Sequence, residues 1–73
     1  MERYTYTQTG TKNTLTDTET GVVMVWETGD FERTQRVVGT LKLQGDASST
    51  AMYYARICRE MGDYIATHYR NTI

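Results

Sequence analysis

Threonine occupies every second position in two consecutive stretches near the start of the chain. The stretches are Thr5, Thr7, Thr9 and Thr11, followed by Thr14, Thr16, Thr18 and Thr20. Alternate side chains of a β-strand share one face, so this period of two predicts two strands that each carry a row of β-branched hydroxyls. The apolar positions Tyr4, Tyr6 and Leu15 alternate with the threonines and fall on the opposite face.

Turn residues divide the first 43 residues into four predicted strands. We expect these strands at about 3–8, 14–17, 22–26 and 36–43. Residues 10–13 have the composition of a turn, and a four-residue loop there sets Thr7 opposite Thr16. The segment 31–36 fits either a loop or a strand edge.

A helical period follows the sheet and predicts one amphipathic helix over about residues 47–69. At 100° per residue its apolar stripe collects Ala51, Tyr54, Cys58, Met61, Ile65 and Tyr69. Gly62 lies on this stripe. We attribute it to a close approach of helix and sheet, because glycine lowers helix propensity by about 1 kcal/mol.

These elements predict an α+β fold in a single domain of residues 1–73, with the sheet at about 3–43. The sheet is expected to be an antiparallel β-meander of three to four strands, with the single C-terminal helix packed on one face. We place the helix on the face that carries the tyrosines and Trp26, because that face has the larger apolar area. The opposite face, called here the Thr/Val face, presents Thr5, Thr7, Thr14, Thr16, Val23 and Val25.

The composition offers few means of stabilising the fold other than its core. A chain of 73 residues buries only about 60% of its unfolded surface. Cys58 is the only cysteine and His68 the only histidine, so we expect no disulfide, no metal site and no bound cofactor. Small chains without such staples often gain stability by associating with a partner or with themselves, so a homodimer is one expectation.

The hydropathy of the sequence indicates where in the cell the chain is located. The longest apolar run, residues 22–26, is too short to span a bilayer, and residues 1–20 contain no signal-peptide core. Together with one free cysteine, this predicts a cytoplasmic protein without a membrane partner. The initial methionine and the short length suggest a complete open reading frame from a bacterial or phage mobile element, whose product acts as an inhibitor or adaptor of a host protein.

The residues with catalytic potential have structural interpretations in this sequence. His68 lies at the margin of the helix stripe, without a nucleophile or carboxylate at a motif spacing. Cys58 lies on the apolar stripe, where a thiol is unreactive. Two acidic pairs occur at turns, where carboxylates accept backbone N–H groups: Asp17 with Glu19, and Asp30 with Glu32. We therefore expect no catalytic residue and no enzyme activity.

Without catalytic groups, binding is the function that the sequence favours. We expect a small protein-binding module, with a homodimer as one form of it. The Thr/Val face is one candidate surface, because it is flat and β-branched. A second candidate is the helix flank that carries Tyr53 and Tyr64, because tyrosine is enriched in binding hot spots.

Nucleic-acid binding through the sheet face is the alternative. Several small domains with a three-stranded sheet and a C-terminal helix read DNA with the sheet, which is an analogy of fold alone. The net charge is −1 and the two signs are interspersed, whereas a nucleic-acid site shows a basic stripe. Five basic residues in or beside the sheet keep the alternative open: Arg3, Lys12, Arg33, Arg36 and Lys42.

Overall fold

The structure is a meander of four antiparallel strands followed by a long helix. A computed structural model of the chain describes the backbone of residues 2–38 and 47–73, and the side chains of residues 2–38 and 51–73. In chain order the elements are β1 (Tyr4–Thr9), β2 (Lys12–Asp17), β3 (Val23–Glu27), α1 (Phe31–Thr34), β4 (Arg36–Val37), α2 (Ala47–His68) and a 3₁₀ turn (Arg70–Thr72). The strands form one sheet in the order β1-β2-β3-β4. The predicted α+β fold is confirmed.

The first hairpin differs from the predicted one in its register. Gly10 and Thr11 alone form the loop, and Thr7 pairs with Thr14 rather than with Thr16. Gly10 has a φ of 61°, which suits the first position of a two-residue type II′ turn. Such turns match the twist of the strands better than the longer loop that we expected. Because the pairing is displaced by an even number of residues, every side chain keeps its predicted face.

The segment 31–36, which the sequence left open between loop and strand, contains a helical turn and the start of a strand. α1 ends at Thr34, whose hydroxyl accepts a hydrogen bond from the Glu27 N–H at 2.9 Å. β4 then pairs with β3, and the Val38 N–H donates to the Val23 carbonyl at 2.9 Å. The rest of the predicted fourth strand, residues 39–43, lies outside the described residues.

The core lies between α2 and one face of the sheet. Its buried side chains are Leu15, Val22, Met24 and Trp26 from the sheet and Ile57, Met61 and Ile65 from the helix. Burying an aliphatic or aromatic side chain of this size contributes about 1.5–3 kcal/mol. Tyr4 and Tyr6 pack against the same cluster. The helix therefore covers the aromatic face, as the apolar area of that face predicted.

The buried stripe of α2 is rotated from the predicted one. Ile57 is buried, whereas Cys58 is half-buried and Ala51 is exposed. The reason lies in the packing of the tyrosine flank, because the Tyr64 ring lies 4.5 Å from the Tyr4 ring on β1. The helix thus turns Ile57, rather than Cys58, towards the centre of the sheet.

The end of the chain is tied to the sheet through the 3₁₀ turn. The Trp26 indole donates a hydrogen bond from Nε1 to the buried Thr72 hydroxyl at 3.1 Å. The Gly29 N–H donates to the Thr72 carbonyl at 2.9 Å. These two bonds fix the C-terminal end of α2 against the turn that follows β3.

Gly62 has no packing role that requires a glycine. A Cβ atom built there meets nothing within 4 Å beyond the helix's own nearby backbone, so the expected close approach to the sheet is wrong. We expect Gly62→Ala to raise the free energy of unfolding by about 0.5–1 kcal/mol, because alanine restricts the unfolded chain and favours helix. Urea unfolding followed by circular dichroism measures this change.

Gly10→Ala is the matched control, because the same atom is added where φ is positive. That backbone conformation is unfavourable for alanine, so the variant should be less stable than the parent. A loss of stability in Gly62→Ala similar to that in Gly10→Ala would contradict the assignment of Gly62 to an open site.

Candidate functional site

The Thr/Val face is the side of the sheet that lies away from α2. Its side chains form two rows across the strands, Thr5–Thr16–Val23 and Thr7–Thr14–Val25–Arg36. The β1 threonines are exposed, and the side chains of Thr14, Thr16 and Val23 are half-buried. The face therefore combines methyl groups with hydroxyls that remain accessible to water.

Val25 departs from its expected exposure on this face. Only 4% of the residue is accessible, and its neighbours across the strands are Thr14 on β2 and Arg36 on β4. Its direct contribution to binding is therefore small, and a charged substitution there would disturb the sheet itself.

Val38 is the apolar residue of this face that the sequence reasoning did not single out. It is 57% exposed, and its backbone N–H bonds to the Val23 carbonyl. The register of β4 places Val38 next to Val23 in the same row as Thr5 and Thr16. Only the pairing of β4 with β3 could have revealed this neighbour, since the sequence alone does not fix that register.

The tyrosine flank of α2 is the second candidate surface. Tyr53 and Tyr64 are both half-buried and pack against the core. The Tyr64 ring lies 4.5 Å from the Tyr4 ring and 4.2 Å from the His68 ring. Tyr53 borders a shallow hollow beside Arg3 and Glu60. Much of the surface of both tyrosines is therefore buried against the sheet near β1.

Asp17 belongs to a structural network rather than to an exposed acid–base pair. Its side chain is fully buried and accepts hydrogen bonds from Arg3 Nε and Nη2, each at 3.2 Å. It also accepts from the Thr20 hydroxyl at 2.7 Å and the Glu19 N–H at 3.0 Å. These bonds occupy the lone pairs that a general base would need.

The charge state of Asp17 follows from the same contacts. Burial alone would raise the pKa of Asp17, but the hydrogen bonds from Arg3, Thr20 and Glu19 and the positive charge of Arg3 hold it below its ordinary value. The hydrogen bond to Asp17 likewise raises the pKa of Arg3. Asp17 is therefore ionised throughout the neutral range.

Arg3 connects three parts of the fold. Besides Asp17, its guanidinium lies 3.6 Å from a carboxylate oxygen of Glu19 and 4.0 Å from one of Glu60 on α2. It also lies 5.5 Å from the centre of the Tyr4 ring, within the range of a cation–π contact. Arg3 thereby acts as a structural tie between the start of β1, the turn after β2 and the helix.

The remaining residues with catalytic potential are not assembled into a reactive site. Burial raises the pKa of the Cys58 thiol, and its hydrogen bond with Tyr54 opposes that shift only in part, so the reactive thiolate is disfavoured. His68 is exposed, and its ring lies tilted against the Tyr64 ring. Asp30 precedes α1 without a side-chain capping bond. Within residues 2–38 and 51–73, no group of three histidine, cysteine or acidic residues could hold a metal ion.

No helix in the part of the chain that the structure describes combines the length and the apolar character needed to cross a bilayer.

The Arg3–Asp17 network predicts a loss of stability in acid. Because the pKa of Asp17 is lower in the folded than in the unfolded chain, its carboxylate stabilises the fold above about pH 4. That stability is lost as the pH falls through the lowered pKa. Asp17→Asn should lower the free energy of unfolding at pH 7 by about 1–3 kcal/mol, and the difference from the parent should narrow below about pH 4.

Asp63→Asn provides the control, because Asp63 is an exposed carboxylate on α2. Its effect should stay within about 0.5 kcal/mol at each pH. Urea titrations at a series of pH values test both variants. A constant difference between Asp17→Asn and the parent from neutral pH into acid would contradict the assigned role of the ionised carboxylate.

Comparisons of the chain with protein-family models, curated proteins and solved structures give no match. A fold of this kind does not by itself indicate a function. The function of the chain must therefore be inferred from its own surfaces.

Proposed function

We propose that the chain is a small non-catalytic protein-binding module that uses the Thr/Val face. The observation that carries this proposal is a row on the side of the sheet away from α2, in which exposed Val38 and Thr5 flank half-buried Val23 and Thr16. Apolar groups gathered on one surface are typical of sites where another protein docks. Accessible threonine hydroxyls beside them can hydrogen-bond to polar groups of that partner.

The rigidity of the Thr/Val face favours binding. Threonine and valine have few χ1 rotamers because both are branched at Cβ. Their backbone is already held in strands that pair on both sides in β2 and β3. A partner that docks there therefore immobilises few side chains, which reduces the entropic cost of association.

The residues with reactive groups support a role without catalysis. Asp17 is held in the buried network with Arg3, and Cys58 is half-buried with a raised pKa. Such a module acts by occupying a surface of its partner, as an inhibitor or an adaptor does. Within this proposal the setting is cytoplasmic, where Cys58 stays reduced. The origin in a bacterial or phage mobile element stays a prediction from the sequence.

The tyrosine flank receives less support as the main surface. Tyr64 packs against Tyr4 and His68, and Tyr53 packs against the core, so both rings already have contacts within the chain. In contrast, Val38 on the Thr/Val face is more than half exposed. We therefore assign the tyrosine flank a mainly structural role.

The double variant Val23→Lys with Val38→Lys tests the Thr/Val face. Burying two ammonium groups in an apolar contact carries a desolvation penalty, so we expect at least about a tenfold loss of partner binding. The measurement is capture of partners from a lysate on immobilised protein, with quantification by mass spectrometry. Circular dichroism and urea unfolding establish that the variant remains folded.

Met52→Lys with Thr67→Lys is the charge-matched control. Both residues are exposed on α2, and Met52 is 76% accessible. This control should capture the same partners as the parent. If the Val23/Val38 variant captures the same amount of partner as the parent, the Thr/Val face is not the binding surface.

The nucleic-acid alternative rests on the basic residues of the same face. Lys12 and Arg36 are exposed there, but Lys12 pairs in register with Glu27, which dilutes the positive charge. Lys42 lies outside the described residues. Contacts with phosphates dominate nucleic-acid affinity, and the few cations available would provide little of it.

Direct titration separates this alternative from protein binding. We expect no measurable binding of single- or double-stranded oligonucleotides at about 50 mM salt, where phosphate contacts are strong. Fluorescence anisotropy with labelled oligonucleotides provides the measurement. Affinity that falls steeply with added salt, and that Lys12→Gln with Arg36→Gln weakens, would favour the nucleic-acid reading instead.

A further inference from the structure

β1 is an edge strand whose outer backbone groups can be identified from the hydrogen bonds of its inner side. The Thr18 N–H donates to the Arg3 carbonyl at 2.8 Å, which sets the phase of the ladder between β1 and β2. In an antiparallel pair, alternate residues bond to the neighbouring strand. Thr5 and Thr7 therefore bond to β2. The N–H and C=O groups of the other three residues point away from the sheet: Tyr4, Tyr6 and Gln8.

β1 lacks the side-chain features that prevent an edge strand from pairing with a strand of another chain. Natural edge strands are protected by charged side chains, proline, bulges or very short length. β1 is six residues long, with the sequence Tyr-Thr-Tyr-Thr-Gln-Thr. It contains neither a charge nor a proline, and it pairs with β2 in unbroken register from Tyr4 to Thr9. Among the described residues, no backbone group outside β2 bonds to Tyr4–Thr9, so this edge is open to pairing with another strand.

We propose that β1 pairs with β1 of a second copy of this chain, antiparallel, about a twofold axis at Tyr6. Tyr6 then faces the partner's Tyr6, Tyr4 faces the partner's Gln8, and Gln8 faces the partner's Tyr4. Each of these pairs exchanges two backbone hydrogen bonds, so every outward-pointing group of β1 is satisfied. With a twofold axis at Thr5, Gln8 would face no residue of β1 in the second copy. With an axis at Thr7, Tyr4 would face none.

The pattern of side chains also suits a second copy better than an unrelated strand. The residues around Tyr6 read Thr-Tyr-Thr in both directions, so a twofold axis at Tyr6 sets a threonine opposite a threonine on either side of it. Thr5 lies opposite the partner's Thr7, and cross-strand threonine pairs stabilise a sheet. Because the segment is uncharged, no like charges meet within it.

This inference deepens the proposed binding function, on which it rests, by naming a second copy as one partner. The axis runs perpendicular to the sheet, so both α2 helices lie on the same side. The two Thr/Val faces then form one continuous surface on the other side. Dimerisation would therefore double the surface that is available to another protein.

The strength of the dimer follows from the size of the contact. One strand edge places the interface at the low end of specific areas, below about 1,200 Å² in total. We therefore expect a dimer whose population depends on concentration. Sedimentation equilibrium from about 10 μM to about 1 mM covers the affinities that such an interface provides.

Two charge variants test the register. Thr5→Lys with Thr7→Lys places like charges opposite each other across the axis, so the dissociation constant should rise at least about tenfold. Thr5→Lys with Thr7→Glu places opposite charges across the same axis and should dimerise like the parent or more tightly. Both threonines are exposed in the single chain, so both variants should fold, which circular dichroism checks.

Gln8→Pro is an independent variant that leaves Thr5 and Thr7 unchanged. It removes an outward N–H of the edge strand, a position where proline is tolerated in natural sheets. The partner's Tyr4 carbonyl then loses its donor, and the dimer should weaken. In the parent, amide exchange of Tyr4, Tyr6 and Gln8 should slow as concentration rises.

Several results would overturn the inference. These are a parent that stays monomeric up to about 1 mM, a dimer that the two charge variants affect equally, and a dimer unchanged by Gln8→Pro. Slowed exchange at β1 only after addition of an extended peptide would assign the edge to another protein's strand instead. The parent could also stay monomeric while Val23→Lys with Val38→Lys still reduces the capture of partners. That result would contradict the proposed dimer but support the Thr/Val face as a binding surface.

Discussion

A single helix can cover only one face of a sheet, and the rest of this structure depends on that constraint. α2 buries Leu15, Met24 and Trp26 on one side, and the same strands must then present a second face to water. Threonine suits such a face, because its β-branch favours the strand while its hydroxyl stays hydrated. The threonine rows are therefore first a means of folding with one helix. The binding surface that we propose arises from the same arrangement.

Periodicity predicted the architecture well because it reports burial, which is the property that decides the faces. Residue spacing of two in the strands, and of three to four in α2, identified the covered face and the long C-terminal helix, but not α1. The register of the first hairpin was not predictable to the residue, because both a two-residue and a four-residue loop keep the threonines together. The rotation of α2 depended on the contact between Tyr64 and Tyr4, which joins distant parts of the chain.

The candidate site was predictable as a face but not as a set of contacts. The threonines lie where the alternation placed them, whereas the burial of Val25 and the exposure of Val38 depend on pairing with β4. The burial of polar residues was equally unpredictable from the sequence. Asn13, expected in a loop, is buried and accepts a hydrogen bond from the Tyr6 hydroxyl. No local pattern indicates a polar residue that a distant side chain satisfies.

The two halves of the core lie far apart along the chain, as the bond between Trp26 and Thr72 across 46 positions illustrates. The ribosome therefore delivers the strands, with their aromatic side chains bare, before the helix that covers them. An isolated two-stranded hairpin is only marginally stable in water, so the first strands have little stability of their own before the helix packs on them. Packing of the core therefore has to wait for α2. Until the helix packs, the bare apolar face and the unpaired edge of β1 are the surfaces most prone to aggregation.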